Sequence, residues 1–232
     1  MNTPAGKVVV VVASGGMGKR MGQNVPKQFL EIGGKPVLVH TLEKFDSCDS
    51  VDDIILTAPA ESLEATCELL TTYRIEKVSQ VVAGGKERQD TIANALDCMD
   101  ESADIILVQD GVRPFVTIKQ IDAVIDATRQ YGAAILAAPS VNTIKRVEDG
   151  KVVATLDRSQ LWQVQTPQGF RASWLREAYE KATETKILAT DDASLVEAAG
   201  YPVHIVEGDD RNIKITSPLD LKIAEVLIEE MQ

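Results

Sequence analysis

Five consecutive valines at positions 8–12, within "KVVVVVA", constrain the fold more than any other feature of the chain. Branched side chains of this kind favour extended backbone. A strand with one wet face would alternate apolar and polar residues. A strand apolar on both faces needs cover on both, which is the situation of a strand in a parallel sheet flanked by helices.

The rest of the chain repeats that theme. "DDIILTA", "VSQVVAG", "DIILVQD" and "AAILAAPS" read as short strands, and between them "LVHTLEKF", "ESLEATCELLTTY", "TIANALDCM" and "TIKQIDAVIDATRQYG" carry helical patterns. This alternation predicts βαβ units and an α/β fold with a mostly parallel sheet and helices on both faces. Residues 141–159, "VNTIKRVEDGKVVATLDRS", break the rhythm and read as two strands joined around Asp149 and Gly150. A lone hairpin is marginal in water, so this protruding arm is expected to pack on something else, such as a second subunit. Beyond it, "FRASWLREAYEKAT" and "DDASLVEAAG" read as helices and "YPVHIVEG" as a strand. "SPLDLKIAEVLIEEMQ" reads as a last helix with Ser217 as cap and Pro218 at its first position. No repeat or linker interrupts the pattern, so residues 1–232 are read as one domain with 141–159 as its arm.

Composition narrows the setting. A chain of 232 residues, 44% apolar and 25% charged, can bury a substantial core. Its net charge of -11 argues against general affinity for nucleic acid or an anionic membrane. Cys48, Cys67 and Cys98 are odd in number and widely spaced, which suggests neither a disulfide framework nor a zinc site and favours a reducing cytoplasm. "MNTPAGK" contains no apolar signal core, and no apolar run approaches the roughly 20 residues of a membrane helix, so a soluble protein is expected.

The valine strand opens into "SGGMGKRMGQNVPKQFLEIGGKP", residues 14–36. A Walker A loop would need glycine at Ala13 and Ser or Thr at Arg20, and the Rossmann fingerprint begun at Gly16 has Met21 in place of its third glycine. What remains is an amide-rich turn with Lys19, Arg20 and Lys27 nearby. Its backbone donors can wrap a triphosphate, while Arg20 and Lys27 supply fixed charge where phosphoryl or nucleotidyl transfer develops negative charge. Pro26 stiffens the chain just before Lys27. A solvated turn carrying surface cations is the plain alternative.

Taken together, "SGGMGKRM", "PKQFL", "GKPVLVHTL", "GGKERQDTIANAL", "VQDGVRPF", "NTIKRV", "LDRSQLWQVQTPQGF", "TDDASLVE" and "VEGDDRNIKIT" resemble the 2-C-methyl-D-erythritol 4-phosphate cytidylyltransferases. The resemblance spans nearly the whole chain. It implies a Rossmann-like sheet that binds the nucleotide and a β-arm that reaches across a homodimer. It also implies attack by a sugar phosphate on the α-phosphorus of CTP, assisted by a divalent metal such as Mg2+ held mainly by the CTP phosphates. The nucleophile is already anionic at neutral pH, so no general base is needed and positioning with charge stabilisation should dominate.

By resemblance, Arg20 and Lys27 stabilise the transition state, and Ser14, Gly15, Gly16 and Gly18 form the nucleotide loop. The family often carries Ala where Ser14 and Gly15 stand. Gly85, Lys86 and Thr91 match the positions that contact cytosine, with Arg88 supporting their loop. Without the resemblance, that segment is a helix start capped by Asp90. Asp110 and Arg113 fall at the carboxyl end of a buried strand, where an α/β site places polar groups, and Gly111 allows close approach to a ribose. A surface ion pair is the plain reading of Asp110 and Arg113. Arg158 and Lys214 match the pair that positions the sugar phosphate. Thr143 and Lys145 lie on the arm, where Asn142 replaces the family's usual Asp. Thr190 is brought near the substrate, while Thr190 or Asp191 caps the next helix. His40, His204, Trp162 and Trp174 read as structural. No metal-ligating side chains are assigned. The nearest rival activity is ribitol 5-phosphate cytidylyltransferase, from which "NTIKRV" and "LDRSQLW" distinguish the chain. A CTP sensor that binds without turnover is the alternative of another class.

Overall fold

The computed structural model describes residues 6–16 and 27–230, apart from the Lys27 side chain. Gly18 and Arg20 of the expected site lie outside the described residues, as does the side chain of Lys27. Along the chain, β1 (Val8–Ala13), a 3-10 turn (Lys27–Phe29), β2 (Glu31–Ile32) and β3 (Lys35–Pro36) precede α1 (Val37–Asp46). Then follow β4 (Asp53–Ala58), α2 (Leu63–Tyr73), β5 (Val78–Ala83), α3 (Arg88–Cys98), β6 (Ile105–Asp110), α4 (Ile118–Tyr131) and β7 (Ala133–Pro139). The arm holds β8 (Lys145–Glu148) and β9 (Lys151–Thr155). After it come β10 (Trp162–Arg171), α5 (Ala172–Thr185), α6 (Asp192–Ala198), β11 (His204–Glu207) and α7 (Pro218–Glu229).

Seven strands form the main sheet in the order β11-β7-β10-β6-β1-β4-β5. The valine run is an interior strand beside the middle one, parallel to β4 on one side and to the middle strand β6 on the other. Its side chains divide between two cores, as a doubly covered strand requires. Val8, Val10 and Val12 pack with Leu38, Leu42 and Phe45 of α1 and Ile121, Val124 and Ile125 of α4. Val9 and Val11 pack with Ile92 and Leu96 of α3 and Leu175 of α5. A third cluster, including Ile32, Val37, Phe115 and Ile215, seats α7.

One central strand was not expected. Residues 162–171 form β10, which runs antiparallel between β6 and β7, and α5 begins only at Ala172 rather than at Phe170. The reason lies in its composition: Gln163, Gln165, Thr166, Pro167, Gln168 and Gly169 argue against a central strand. A register shift between Val164 and Gln168 accommodates Pro167, where the ladder is interrupted. Gln165, Thr166 and Gln168 are buried, and other segments satisfy them.

The arm is a β8–β9 hairpin, and Asp149 and Gly150 both have positive φ, 48° and 76°, as a tight primed turn requires. Val147, Val152 and Val153 are all exposed on it. The helix caps at Ser217 and Asp191 are present as expected, with Pro218 opening α7. At the start of α3 the cap is Glu87, and Asp90 closes the box by accepting the Glu87 N–H at 3.0 Å. The site expectations for His40 and His204 as structural groups agree with their surroundings. His40 Nε2 lies 2.9 Å from the Ile32 carbonyl oxygen, and His204 stacks on Tyr131. Trp174 stacks on Tyr201, whereas Trp162 is half open to solvent.

Gly169 is a point of close approach between α4 and the sheet. A Cβ there would lie 2.3 Å from Thr128 Oγ1 and 3.0 Å from Val124 Cγ1. Gly169→Ala should therefore cost about 1–3 kcal/mol by overpacking, read as a lower urea midpoint with an unchanged slope. Wild-type stability in that variant would show that α4 can move away from β10 freely.

Candidate functional site

The strand order reverses at β1, so the gap between β1 and β6 is the topological switch point, where open α/β sheets bind ligands beyond their carboxyl ends. Ala13 is in register with Asp110, and the Gly111 N–H donates to the Ala13 carbonyl at 2.9 Å. Ser14 and Gly111 therefore leave the sheet side by side. Gly15 approaches the loop after β5 so closely that a Cβ on it would lie 2.9 Å from the Gly84 Cα. Two backbones meet there with no side chain between them, which leaves peptide groups as the lining.

Thr91 braces this meeting from α3. Its hydroxyl accepts the Gly85 N–H at 3.0 Å and donates to the Glu87 carbonyl at 3.0 Å. With one acceptor position left, Thr91 first shapes the Gly85 loop. Lys86 is exposed at the tip of that loop. Gln28, unassigned from sequence, donates from Nε2 to the Ser14 carbonyl at 2.9 Å and ties the 3-10 turn to the glycine loop.

Asp110 gathers the charge. Only 6% exposed, its carboxylate lies 2.8 Å from Lys214 Nζ, 3.4 Å from Arg113 Nε and 3.6 Å from Arg88 Nε. Burial alone would raise its pKa, but Lys214, Arg88 and Arg113 outweigh burial and hold it at about 2. Arg113 is fixed further by donating to the Asn212 carbonyl at 2.7 Å, and the Asp110 N–H donates to Thr166 Oγ1 at 3.1 Å. Thus β10 and the segment after β11 both support the end of β6.

Behind Arg88 lies a partner that sequence reasoning missed. Asp192, fully buried at the start of α6, pairs with Arg88 Nη2 at 2.6 Å and accepts the Tyr179 hydroxyl at 2.6 Å. Burial, followed by the nearby Asp192 charge, pushes the Tyr179 pKa well above the ordinary tyrosine range. The signal was visible in "TDDASLVE", but a second Asp after a cap residue has no local feature that reveals a partner 104 residues away.

The structure thus brings together Ser14, Gly15, Gly85, Thr91, Asp110, Gly111, Arg113 and Lys214, with Gly16 exposed at the loop's outer end. Arg158 is separate in this protomer: it lies at the base of the arm and donates to the Val141 carbonyl at 3.0 Å. Thr143 is exposed on the arm, and Thr190 is exposed beside Asp191, the residue that caps α6. Arg158 and Lys214 therefore enter no common ion pair among the described residues.

A doubly wound sheet with peptide-lined glycine loops and a cation cluster at its switch point defines a nucleotide-binding α/β protein. Comparison with known proteins narrows this class. A family model described as IspD, 2-C-methyl-D-erythritol 4-phosphate cytidylyltransferase, matches residues 8–230. A protein of that name from Syntrophus aciditrophicus is 45% identical over 226 residues, 97% of each chain, and one from Geobacillus thermodenitrificans is 46% identical over 218 residues, 94% of this chain and 95% of its own. A crystal structure of 4-diphosphocytidyl-2C-methyl-D-erythritol synthase from Anaerococcus prevotii superposes with a TM-score of 0.87 at 28% identity, covering 97% of each chain. The Thermus thermophilus cytidylyltransferase structure gives 0.78 at 32% identity, covering 95% of this chain and 98% of its own. The chain belongs to the 2-C-methyl-D-erythritol 4-phosphate cytidylyltransferase family, a family of nucleotidyltransferases.

Asp192→Asn leaves Arg88 short of a buried counter-charge and should lower stability by about 3–5 kcal/mol in equilibrium denaturation. A loss below about 1 kcal/mol would show that the Arg88–Asp192 pair is dispensable to folding. The Asp110 pKa also has a signed consequence. Its ordinary value is about 3.9 and its folded value about 2, so its contribution is complete above about pH 4 and is lost as pH falls towards about 2. Acid denaturation in that window should be shallower in Asp110→Asn than in the parent chain. Equal slopes would remove Asp110 as a source of acid sensitivity.

Proposed function

We propose that this chain transfers the cytidylyl group of CTP to 2-C-methyl-D-erythritol 4-phosphate in non-mevalonate isoprenoid biosynthesis. A phosphate oxygen of the acceptor forms a bond to the α-phosphorus, the bond from that phosphorus to the α,β-bridging oxygen breaks, and pyrophosphate leaves. The products are 4-diphosphocytidyl-2-C-methyl-D-erythritol and pyrophosphate. The observation that carries this reading is the cluster of Arg88, Arg113 and Lys214 on one buried carboxylate at the switch point, directly beside the peptide-lined loop.

Each part has a chemical task. Ser14 heads the nucleotide loop, the amides of Gly15, Gly16 and Gly18 hold the nucleotide, and Gly85, Lys86 and Thr91 form the wall that meets cytosine. Gly111 leaves space for the ribose. Arg20 and Lys27 meet the charge that grows on the phosphates during transfer, which is where fixed cations lower a barrier most. Lys214 is at the rim and partly exposed, so it can turn from Asp110 towards the acceptor phosphate; Asp110 and Arg113 face the acceptor with it. Charge-assisted contacts of this kind are the strong ones.

The arm completes the site in a homodimer. Its exposed valines gain cover there, and Arg158 and Thr143 serve the neighbouring subunit, with Thr190 contributing from the body. Residues 1–232 act as one unit with 141–159 as the exchanged element. Among the described residues no three His, Cys, Asp or Glu side chains converge. Because Asp110 is already engaged by cations, the donors that fit Mg2+ best are the oxygens of the triphosphate itself. When bound, that ion would neutralise part of the triphosphate charge. Three unpaired cysteines suit a reducing cytoplasm. No described helix is long and apolar enough to cross a membrane.

Pyrophosphate release with Mg2+ and CTP, measured with methylerythritol 4-phosphate and ribitol 5-phosphate in parallel, tests the reaction. Strong preference for the first acceptor is expected. Preference for the second would move the chain to the sister activity, and CTP binding without release would make it a sensor. Arg20→Ala or Lys27→Ala should each lower kcat about 10²–10³-fold with a smaller effect on CTP binding, whereas Lys214→Ala should mainly raise the KM for the sugar phosphate. Near-parental kcat in both loop variants would remove the role assigned to them.

A further inference from the structure

Ser14 carries a hydroxyl that the folded chain does not use. Both backbone groups of the residue are satisfied: its N–H donates to Thr57 Oγ1 at 3.0 Å, and its carbonyl accepts from Gln28 Nε2 at 2.9 Å. The Oγ is buried and has no hydrogen-bond partner, in a residue only 6% exposed. Leaving a buried hydroxyl unpaired is costly, while an alanine of nearly the same shape avoids that cost. The position is the first residue beyond β1 at the switch point. A Cβ on Gly111 would lie 3.1 Å from the Ser14 Cβ and 3.1 Å from Leu38 Cδ1, so only glycine fits comfortably against the Ser14 side chain there.

We infer that the Ser14 hydroxyl is a specificity-determining contact that hydrogen-bonds a ribose hydroxyl of the nucleotide. This inference rests on the cytidylyltransferase reading and adds a side-chain contact to the backbone role of the loop. Among the described residues the neighbourhood suits ribose better than phosphate. The described groups around Ser14 are Thr57, Gln28, the Gly111 backbone and, across Gly111, Leu38, all of them neutral. A multiply charged phosphate is poorly served among neutral groups, whereas a sugar hydroxyl matches a lone neutral donor and acceptor. Asp110 and its cations stand one residue before Gly111, so the charged and neutral halves of the site sit next to each other without sharing a partner.

Two signatures of opposite sign follow from an unpaired hydroxyl that waits for a ligand. Without nucleotide, Ser14→Ala should have a Tm equal to or above that of the parent chain, because an unsatisfied group has been removed. With nucleotide, it should bind CTP about tenfold more weakly. The decisive measurement is kcat/KM for CTP, 2′-deoxy-CTP and 3′-deoxy-CTP with methylerythritol 4-phosphate, in parent and variant. One deoxy analogue should be used equally well by both proteins, and that analogue identifies the hydroxyl. If Ser14→Ala weakens all three nucleotides equally, the contact is to another part of the nucleotide and the ribose assignment is overturned. An unchanged CTP preference, or a clearly lower Tm without ligand, would likewise overturn it by showing an inert or internally bonded hydroxyl. Failure of the parent chain to turn over CTP would instead refute the proposed reaction, so the two failures are distinguishable.

Discussion

A buried carboxylate surrounded by three cations, each from a different part of the chain, sets the geometry on which the rest of the site depends. Asp110 ends β6, Arg88 begins α3, Arg113 follows Asp110 by one turn, and Lys214 comes from the segment between β11 and α7. A lone charge at that depth would be prohibitive, and a pair would leave oxygens unserved. Three cations more than offset the burial, which is why the carboxylate stays ionised far below its ordinary range. The arrangement also stores positive charge. Arg88, Arg113 and Lys214 against Asp110 and Asp192 leave one net positive charge, and Lys214 is the most exposed of the three cations.

That cluster could not assemble without the valine strand. β1 is held by β4 and β6 in matching parallel registers, and its ends are fixed because side chains on both faces are committed to separate cores. A slip of one residue would exchange the two faces, which is strongly disfavoured when both are packed. The register therefore places Ala13 opposite Asp110, and the peptide-lined loop emerges within reach of the cation cluster. β10 then adds the polar scaffold. Gln165 and Thr166 hold Asn212, whose carbonyl receives Arg113, while Gln168 bonds both the Asp191 side chain and the Ala193 N–H. A strand rich in glutamine serves here because its side chains are needed as donors and acceptors rather than as packing.

This division explains what was legible in the sequence. Elements whose information is local could be read directly: the apolar strands, the amphipathic helices, the Asp149–Gly150 turn, and the caps at Ser217 and Asp191. β10 could not, because its polar residues are paid for by partners distant in sequence, and local preference favours a loop. The same contrast separates the site residues. Asp110 and Arg113 were visible because a strand end is a recognisable place. The partnership of Arg88 with Asp192 and Tyr179 was hidden, since it joins α3, α5 and α6 through contacts that no spacing rule encodes. Thr91 was assigned to cytosine by resemblance; its hydroxyl is engaged on the Gly85 loop, a role that only the folded geometry defines.

The chain as a whole is acidic, with a net charge of -11, although the proposed substrates are themselves strongly anionic. Long-range attraction therefore does not explain recognition, and at physiological salt charges more than about 8 Å from a ligand are largely screened in any case. Selectivity must arise at contact distance, where buried cations act in a low-dielectric setting and peptide dipoles are already oriented. An anion lacking the right shape meets the acidic exterior without reaching that interior. One able to enter finds charge that the fold has already desolvated and fixed, so most of the reorganisation was completed when the protein folded rather than when the substrate bound.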